Sequence, residues 1–387
     1  DVVKKKKIVS LFHFDSNIAG KDMFLVPMYL GRKLGYDIEF VYPTASFNKE
    51  YKNEYRGVKL TSIRSRSQYY CTLWSEKEMF WWLIKNARNI DVLSLFWLNA
   101  RNMIFAKSYK ILNPKGVCYI KSDFNEVDIL SLPTSITKGF KYKIKEWLYQ
   151  SIDIVSVETK RTFWHLKKGA LGNRLANIIE YVPNGFDEEL CKEYDMKRVS
   201  FSSKENLIIT VGRIGSKQKA NEVMFDALDQ VDMKNWKFVL IGPIEEDFKI
   251  KYNIFIERNP DKKDKVILLG SIGDKRRLWE WYNKAKVFIL TSIYEGFPNV
   301  FPEALYFGNY IITTKLSAVY DITDNERIGK IVPIGNVKKL SIILQGIFEG
   351  DLPLESLYPK ILKHSEIFSW NNTITPIVVR IKKKLCE

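Results

Sequence analysis

Apolar residues in this chain fall in short continuous runs more often than in strict alternation. In the first half the runs are KIVSLFHF, YDIEFVYP, GVKLTSI, DVLSLFW, GVCYIKSD, IDIVSVE and IIEYVPNG; in the second they are NLIITVGR, WKFVLIGP, KVILLGS, AKVFILTS, NYIITTK and GKIVPIG. Parallel strands covered on both faces by helices need such unbroken Val, Ile, Leu and Phe segments. Helical stretches lie between them, which predicts an α/β protein built of two Rossmann-like, doubly wound domains. At 387 residues the chain is long enough for two cores of ordinary size. The polar segment GFDEELCKEYDMKRVSFSSKEN follows the turn signal VPNG, and the junction is placed there. The expected domains are residues 1–187 and 188–371, the first completed by a C-terminal helix over 372–387 that crosses back.

Hydrophobic residues at 46% and charged residues at 27% fit a soluble globular chain, and no apolar run reaches the roughly 18–20 residues that span a bilayer. The opening DVVKKKKIVSLFHF reads as a first strand, and a start on Asp1 leaves a preceding segment open. Cys71, Cys118, Cys191 and Cys386 are widely spaced, without a CxxC pair, so neither a zinc site nor a disulfide framework is suggested and a reducing cytoplasm fits. His13, His165 and His364 are too few for a histidine-rich metal centre. The net charge is +16, of which residues 1–187 carry +12, with 30 Lys and Arg against 18 Asp and Glu. That half should seek an anionic surface, either nucleic acid or phospholipid; no known nucleic-acid motif accompanies the charge, and the expectation is an anionic membrane surface, with nucleic-acid binding as a rival reading.

Two stretches carry chemistry. In TSIYEGFPNVFPEALYFGNYIITT, residues 291–314, a strand leads through a glycine turn into a helix beginning near Asn299, with Pro302 in its first turn. The amides of Asn299, Val300 and Phe301 would face a phosphate at the carboxyl edge of the sheet. Glu303 would accept hydrogen bonds from ribose hydroxyls, and Glu295 would face what lies beyond the phosphate. The plainer alternative is that Glu303 complements the helix dipole and Glu295 is an exposed turn residue. In LIITVGRIGSKQKANEVMFDAL, residues 207–228, a strand ends at Gly212 and the next loop carries Arg213 and Lys219. No Asp-x-Asp element that would hold Mg²⁺ occurs in the chain, so these two cations would neutralise a departing nucleoside diphosphate, unless they are solvated surface charges.

With EYVPNGFD, VGRIGSKQK, FVLIGP and the long segment VILLGSIGDKRRLWEWYNKAKVFILTSIYEGFPNVFPEALYFGNYIITT in this order, residues 180–335 resemble the retaining GT-B glycosyltransferases of family 4. Over residues 1–179 the resemblance is limited to element order and to NIAGKDMF, whose Gly20 stands where the family often has a glycine loop. The resemblance implies two domains facing a cleft, a UDP- or GDP-sugar type of donor, and no metal or other cofactor. It implies that Glu295 contacts donor-sugar hydroxyls and stabilises a developing oxocarbenium ion. Gly296, Phe297 and Pro298 would offer main-chain groups to the sugar, and the amides of Asn299 and Val300 would hold the diphosphate. Arg213 and Lys219 would neutralise that diphosphate, Glu303 would bind the ribose, and the main chain around Ile272, between Gly270 and Gly273, would meet the base. One departure stands out. Where many relatives carry a sugar-facing histidine, this chain reads GVCYIKSDFNE, so Lys121 and Asp123 either orient donor or acceptor or form a strand-end ion pair with each other.

The reaction so implied passes a sugar to a hydroxyl acceptor with retention, by same-face attack in which the leaving phosphate oxygen takes the acceptor proton. A non-catalytic partner subunit and a nucleotide-sugar epimerase of similar fold are the rival readings. In ITKGFKYKIKEWLYQSI, residues 136–152, Ile136, Phe140, Ile144, Trp147, Leu148 and Ile152 form one helical stripe, and Lys138, Lys141, Lys145, Tyr142 and Tyr149 another. The expectation is a packed stripe with the Lys and Tyr face, and Trp147 beside it, against anionic headgroups. A solvated face on an ordinary core helix is the alternative. The resulting picture is a cytoplasmic enzyme, peripheral at the inner face of the membrane, with a glycan or lipid-linked acceptor.

Overall fold

A computed structural model describes residues 5–44, 53–65, 76–124 and 140–386, the side chains of 140–142 excepted. The chain divides into two compact units, one ending at Asn184 and regaining the chain from Trp370 onward, the other running Gly185–Ser369.

The first unit is an eight-stranded sheet of β1 (Lys7–Leu11), β2 (Asp37–Thr44), β3 (Glu54–Tyr55), β4 (Val58–Arg64), β5 (Val92–Phe96), β6 (Val117–Ser122), β7 (Ile154–Val157) and β8 (Ile179–Tyr181). Its order is β3-β4-β2-β1-β5-β6-β7-β8. The short β3 pairs antiparallel with β4, while β4, β2, β1, β5, β6, β7 and β8 are joined in parallel. Successive residues of β1 point to opposite faces: Ile8 packs with Phe24, Met28 and Phe40, and Val9 with Leu93, Phe105 and Val155. That is why these strands read as unbroken apolar runs. The C-terminal helix Thr375–Lys384, with Pro376 in its first turn, buries Ile377 and Ile381 against the Ile8 side of this sheet.

The second unit holds β9 (Glu205–Val211), β10 (Lys237–Ile241), β11 (Val266–Gly270), β12 (Ala285–Leu290), β13 (Tyr310–Thr314) and β14 (Gly329–Val332). All pairs are parallel, in the order β11-β10-β9-β12-β13-β14. Both sheets are therefore Rossmann-like. In the second, the strand order reverses between β9 and β12, the place where a ligand crevice forms outside the carboxyl ends of the strands. The polar segment after VPNG is structured and belongs to this unit: Glu188–Glu193 is helical, capped by the Asp187 side chain, and Phe186 stacks on Tyr306 with ring centres 3.8 Å apart.

The expected faces of the basic helix are partly reversed. Over Phe140–Tyr149 the side chains of Ile144 and Trp147 are exposed, and Tyr149 is buried. Tyr149 and Ile152 turn into the core beside Leu175 and Ile178, and the helix rotates accordingly. Trp147 instead lies under the Lys107 ammonium, 4.1 Å from the ring centre. Lys145 is exposed; Cys71, Ile136 and Lys138 lie outside the described residues, as do the side chains of Phe140, Lys141 and Tyr142.

Candidate active site

The loops after β9 and β12 meet at the point where the strand order reverses. Gln218 joins them: its carbonyl accepts from the Ile293 amide at 2.8 Å, and its side chain donates to the Tyr294 carbonyl at 3.0 Å. The Thr291 hydroxyl donates to the Lys219 carbonyl at 2.9 Å, beside Ala220, whose φ of 45° lies in the left-handed region. A non-glycine residue held there by its surroundings is a local strain of the kind found at binding sites.

This scaffold sets Lys219 against Glu295: ammonium and carboxylate are 2.5 Å apart, with 14% and 13% of their side chains exposed. The Ser292 hydroxyl donates to the same carboxylate oxygen at 2.8 Å. Gly212 makes room for the lysine, since a Cβ there would stand 3.2 Å from Lys219 Cε. A Cβ on Gly242, at the end of β10, would fall 1.8 Å from the Gly212 carbonyl oxygen, so the loop also needs glycine in its neighbour. Arg213 donates to the Gln218 side chain at 2.8 Å and remains at the surface.

The helix Val300–Tyr306 follows the turn Gly296–Asn299. Two details differ from the sequence reading. Asn299 already has helical dihedrals and its side chain makes no cap bond, because the turn starts at Pro298; and the Phe301 amide bonds the Pro298 carbonyl at 3.1 Å, which removes it from the expected phosphate donors. Phe297 is buried against Phe368, so what it can offer a ligand is main chain. Glu303 is buried and pairs with Lys275, the first residue of the helix Lys275–Lys284. Burial and the neighbouring Glu303 carboxylate push the Tyr282 hydroxyl far above its ordinary pKa. Sequence reasoning misses Lys275, although it follows closely on the Gly270–Gly273 loop and its half-buried Ile272. Lys275 ties that loop to Glu303, so the expected base and ribose positions are adjacent.

In the first unit the strand order reverses between β1 and β5. Gly20 lies exposed on the loop after β1. Trp97, after β5, has a φ of 75°, an outlier for so large a residue, and its ring lies edge-on to Phe12 at 5.4 Å. Lys121 does not take Asp123 as its main partner, nor does it face outward. Its ammonium is wholly buried and bonded to Glu158, to Asp22 at 3.0 Å and to Asn184 at 3.0 Å. Strand β6 directs it inward onto two buried carboxylates, and three acceptors use all three of its donors, so none remains for a substrate. Burial, with Asp22 and Asp123 nearby, raises the Glu158 pKa against the pull of Lys121. Asp123 is exposed beyond the end of β6, yet partial desolvation holds its carboxyl above the ordinary range while Lys121 pulls it down.

Solved structures share this two-domain architecture. Sucrose-phosphate synthase from Thermosynechococcus elongatus superposes with a TM-score of 0.69 at 14% identity, over 99% of this chain and 100% of that one. The lipopolysaccharide outer core galactosyltransferase WaaB gives 0.67 at 16% identity, over 98% and 99%. The fold is thus that of the GT-B glycosyltransferases.

More narrowly, residues 205–348, within the second unit, match the family Glycosyl transferases group 1. Over 158 residues the chain is 32% identical to a Campylobacter jejuni enzyme, GalNAc-alpha-(1->4)-GalNAc-alpha-(1->3)-diNAcBac-PP-undecaprenol alpha-1,4-N-acetyl-D-galactosaminyltransferase, a match that spans 38% of this chain and 41% of that one. Over 247 residues it is 26% identical to the capsular polysaccharide biosynthesis glycosyltransferase CapM of Staphylococcus aureus, across 59% of this chain and 62% of that one. The matches thus span less than two thirds of the length of either relative.

Proposed function

We propose that this protein is a retaining glycosyltransferase that moves a sugar from a nucleotide-sugar to a hydroxyl acceptor without a metal. The observation that carries the reading is the pairing of Lys219 with Glu295 at the strand-order reversal of the second unit, with Arg213 on the same loop as Lys219 and Glu303 on the helix that follows. Lys219 and Arg213 offer fixed positive charge to a departing diphosphate. Lys219 would exchange its contact with Glu295 for one with phosphate, which frees the carboxylate for the sugar. The amides of Asn299 and Val300 and the main chain of Gly296 to Pro298 would complete the donor grip. Glu303, fixed by Lys275, would receive the ribose, and the loop around Ile272 the base.

In the first unit, Gly20, Trp97 and Asp123 at the carboxyl ends of β1, β5 and β6 would face donor or acceptor, while Lys121 holds the strands that position them. The named activities of the two relatives favour a lipid-linked or capsular glycan precursor as acceptor. Among the described residues no helix is long and apolar enough to cross a membrane. The exposed Ile144 and Trp147 beside Lys143 and Lys145 suit peripheral contact with anionic headgroups at the inner membrane face. The test is a hydrolysis and thermal-shift screen across UDP-, GDP-, dTDP- and ADP-sugars, with and without EDTA. Turnover of one donor that survives EDTA is expected; no stabilisation by any of them overturns the reading.

A further inference from the structure

The amino ends of β9, β10 and β12 lie at the opposite edge of the second sheet from Lys219 and Glu295. A cavity of about 340 Å³ opens there, floored by Phe201, Trp236 and Phe348. Lys286, at the start of β12, enters the floor: its ammonium donates to Asn206 at 2.6 Å and stands 5.0 Å from the Phe201 ring centre and 5.9 Å from that of Trp236. Asn235, Glu349 and Glu355 are exposed at the rim.

We infer that this cavity is a saccharide-binding site, distinct from the proposed donor site, that takes one or two sugar rings over its aromatic floor. The mixed lining selects that chemistry. A phosphate would meet Lys286 but also two rim carboxylates, and a purely apolar ligand would strip water from a cation. Sugar hydroxyls both donate and accept, so they serve the carboxylates, the amides and the ammonium together, while the apolar face of the ring lies on aromatic carbon. The volume sits at the small end of ligand cavities, which run to about 300–1,000 Å³. Burial lowers the Lys286 pKa, with the Glu355 carboxylate opposing, so a hydrogen-bonding ligand relieves a group already short of water. The site would hold glycan away from the place of transfer.

Saturation-transfer NMR and calorimetry on the whole chain, with galactose, N-acetylglucosamine and N,N′-diacetylchitobiose as probes and UDP present in excess, test this. Binding of at least one probe is expected to persist beside UDP. It should weaken about fivefold in Lys286→Met and in Asn206→Ala, the effect of losing one hydrogen bond. Glu355→Gln and Asn235→Ala, at exposed positions that do not endanger folding, should weaken it in the same direction. UDP affinity should stay unchanged in all four. If no probe binds, if UDP displaces it, or if binding is indifferent to both rim variants, the cavity is not a saccharide site.

Discussion

Replacing Glu295 by Gln removes one charge while keeping an acceptor for the Ser292 hydroxyl, 2.8 Å away. The Lys219 ammonium, 2.5 Å from that carboxylate, loses its charged partner. Loss of one partner costs about 3–5 kcal/mol in a fully buried pair, and a charge-assisted hydrogen bond contributes about 1.5–3 kcal/mol. Both side chains here keep some contact with water, 14% and 13% exposed, which places the folding cost at the lower bound. That is about 1.5 kcal/mol, or a few degrees in Tm. The released ammonium then serves the diphosphate alone, so nucleoside diphosphate affinity should hold within about threefold or tighten, a change under about 1 kcal/mol. Turnover responds differently: a fixed group opposite developing charge supplies about 2.7–4 kcal/mol, so kcat should fall about 100- to 1,000-fold. Calorimetric Kd for the diphosphate, measured beside kcat on the donor found by screening, separates the two effects. If Kd rises in step with the loss of kcat, Glu295 belongs to the diphosphate grip and the sugar role assigned to it is wrong.

Other substitutions probe the remaining assignments. Glu303→Ala should raise the donor KM about tenfold, equivalent to about 1.4 kcal/mol, with kcat little changed; an unaltered KM contradicts the ribose contact. Gly212→Ala places a methyl 3.2 Å from Lys219 Cε and should weaken diphosphate binding without unfolding the domain, as calorimetry and circular dichroism would show. Lys121→Met leaves Asp22 and Glu158 buried without their cation and should cost about 3–5 kcal/mol in urea denaturation; a loss below about 1 kcal/mol would mean the carboxylates are not held as ions. Lys204 is buried beside Lys286 and its pKa is pushed down to about 7. The unfolded chain therefore binds more protons than the folded one between that pH and the ordinary lysine value, and stability should rise with pH across this window. Lys204→Met should flatten the rise; an unchanged slope refutes the assignment.

The strands are legible because parallel sheets demand uninterrupted apolar runs, and each run quoted from the sequence is found as a strand. The glycine turn ahead of Val300–Tyr306 is legible for a similar reason, since Gly296, Pro298 and Pro302 mark it locally. What cannot be read are pairings set by tertiary structure. Lys219 and Glu295 are 76 positions apart, and Lys121 and Asp22 are 99, so nothing local announces either contact. The basic helix resists reading because Trp147 and Tyr149 are both amphipathic, and which one turns inward depends on Leu175 and Ile178 across the core.

The return of the last segment to the first unit sets an order of events during synthesis. Trp370, Ile374, Ile377 and Ile381 wall one side of the Ile8 core, yet they leave the ribosome only after the whole of the second unit. The earlier lobe must therefore wait with an open apolar flank while the later one, continuous in sequence, is free to close first. Deleting this tail should accordingly harm the part of the molecule made first and spare its neighbour.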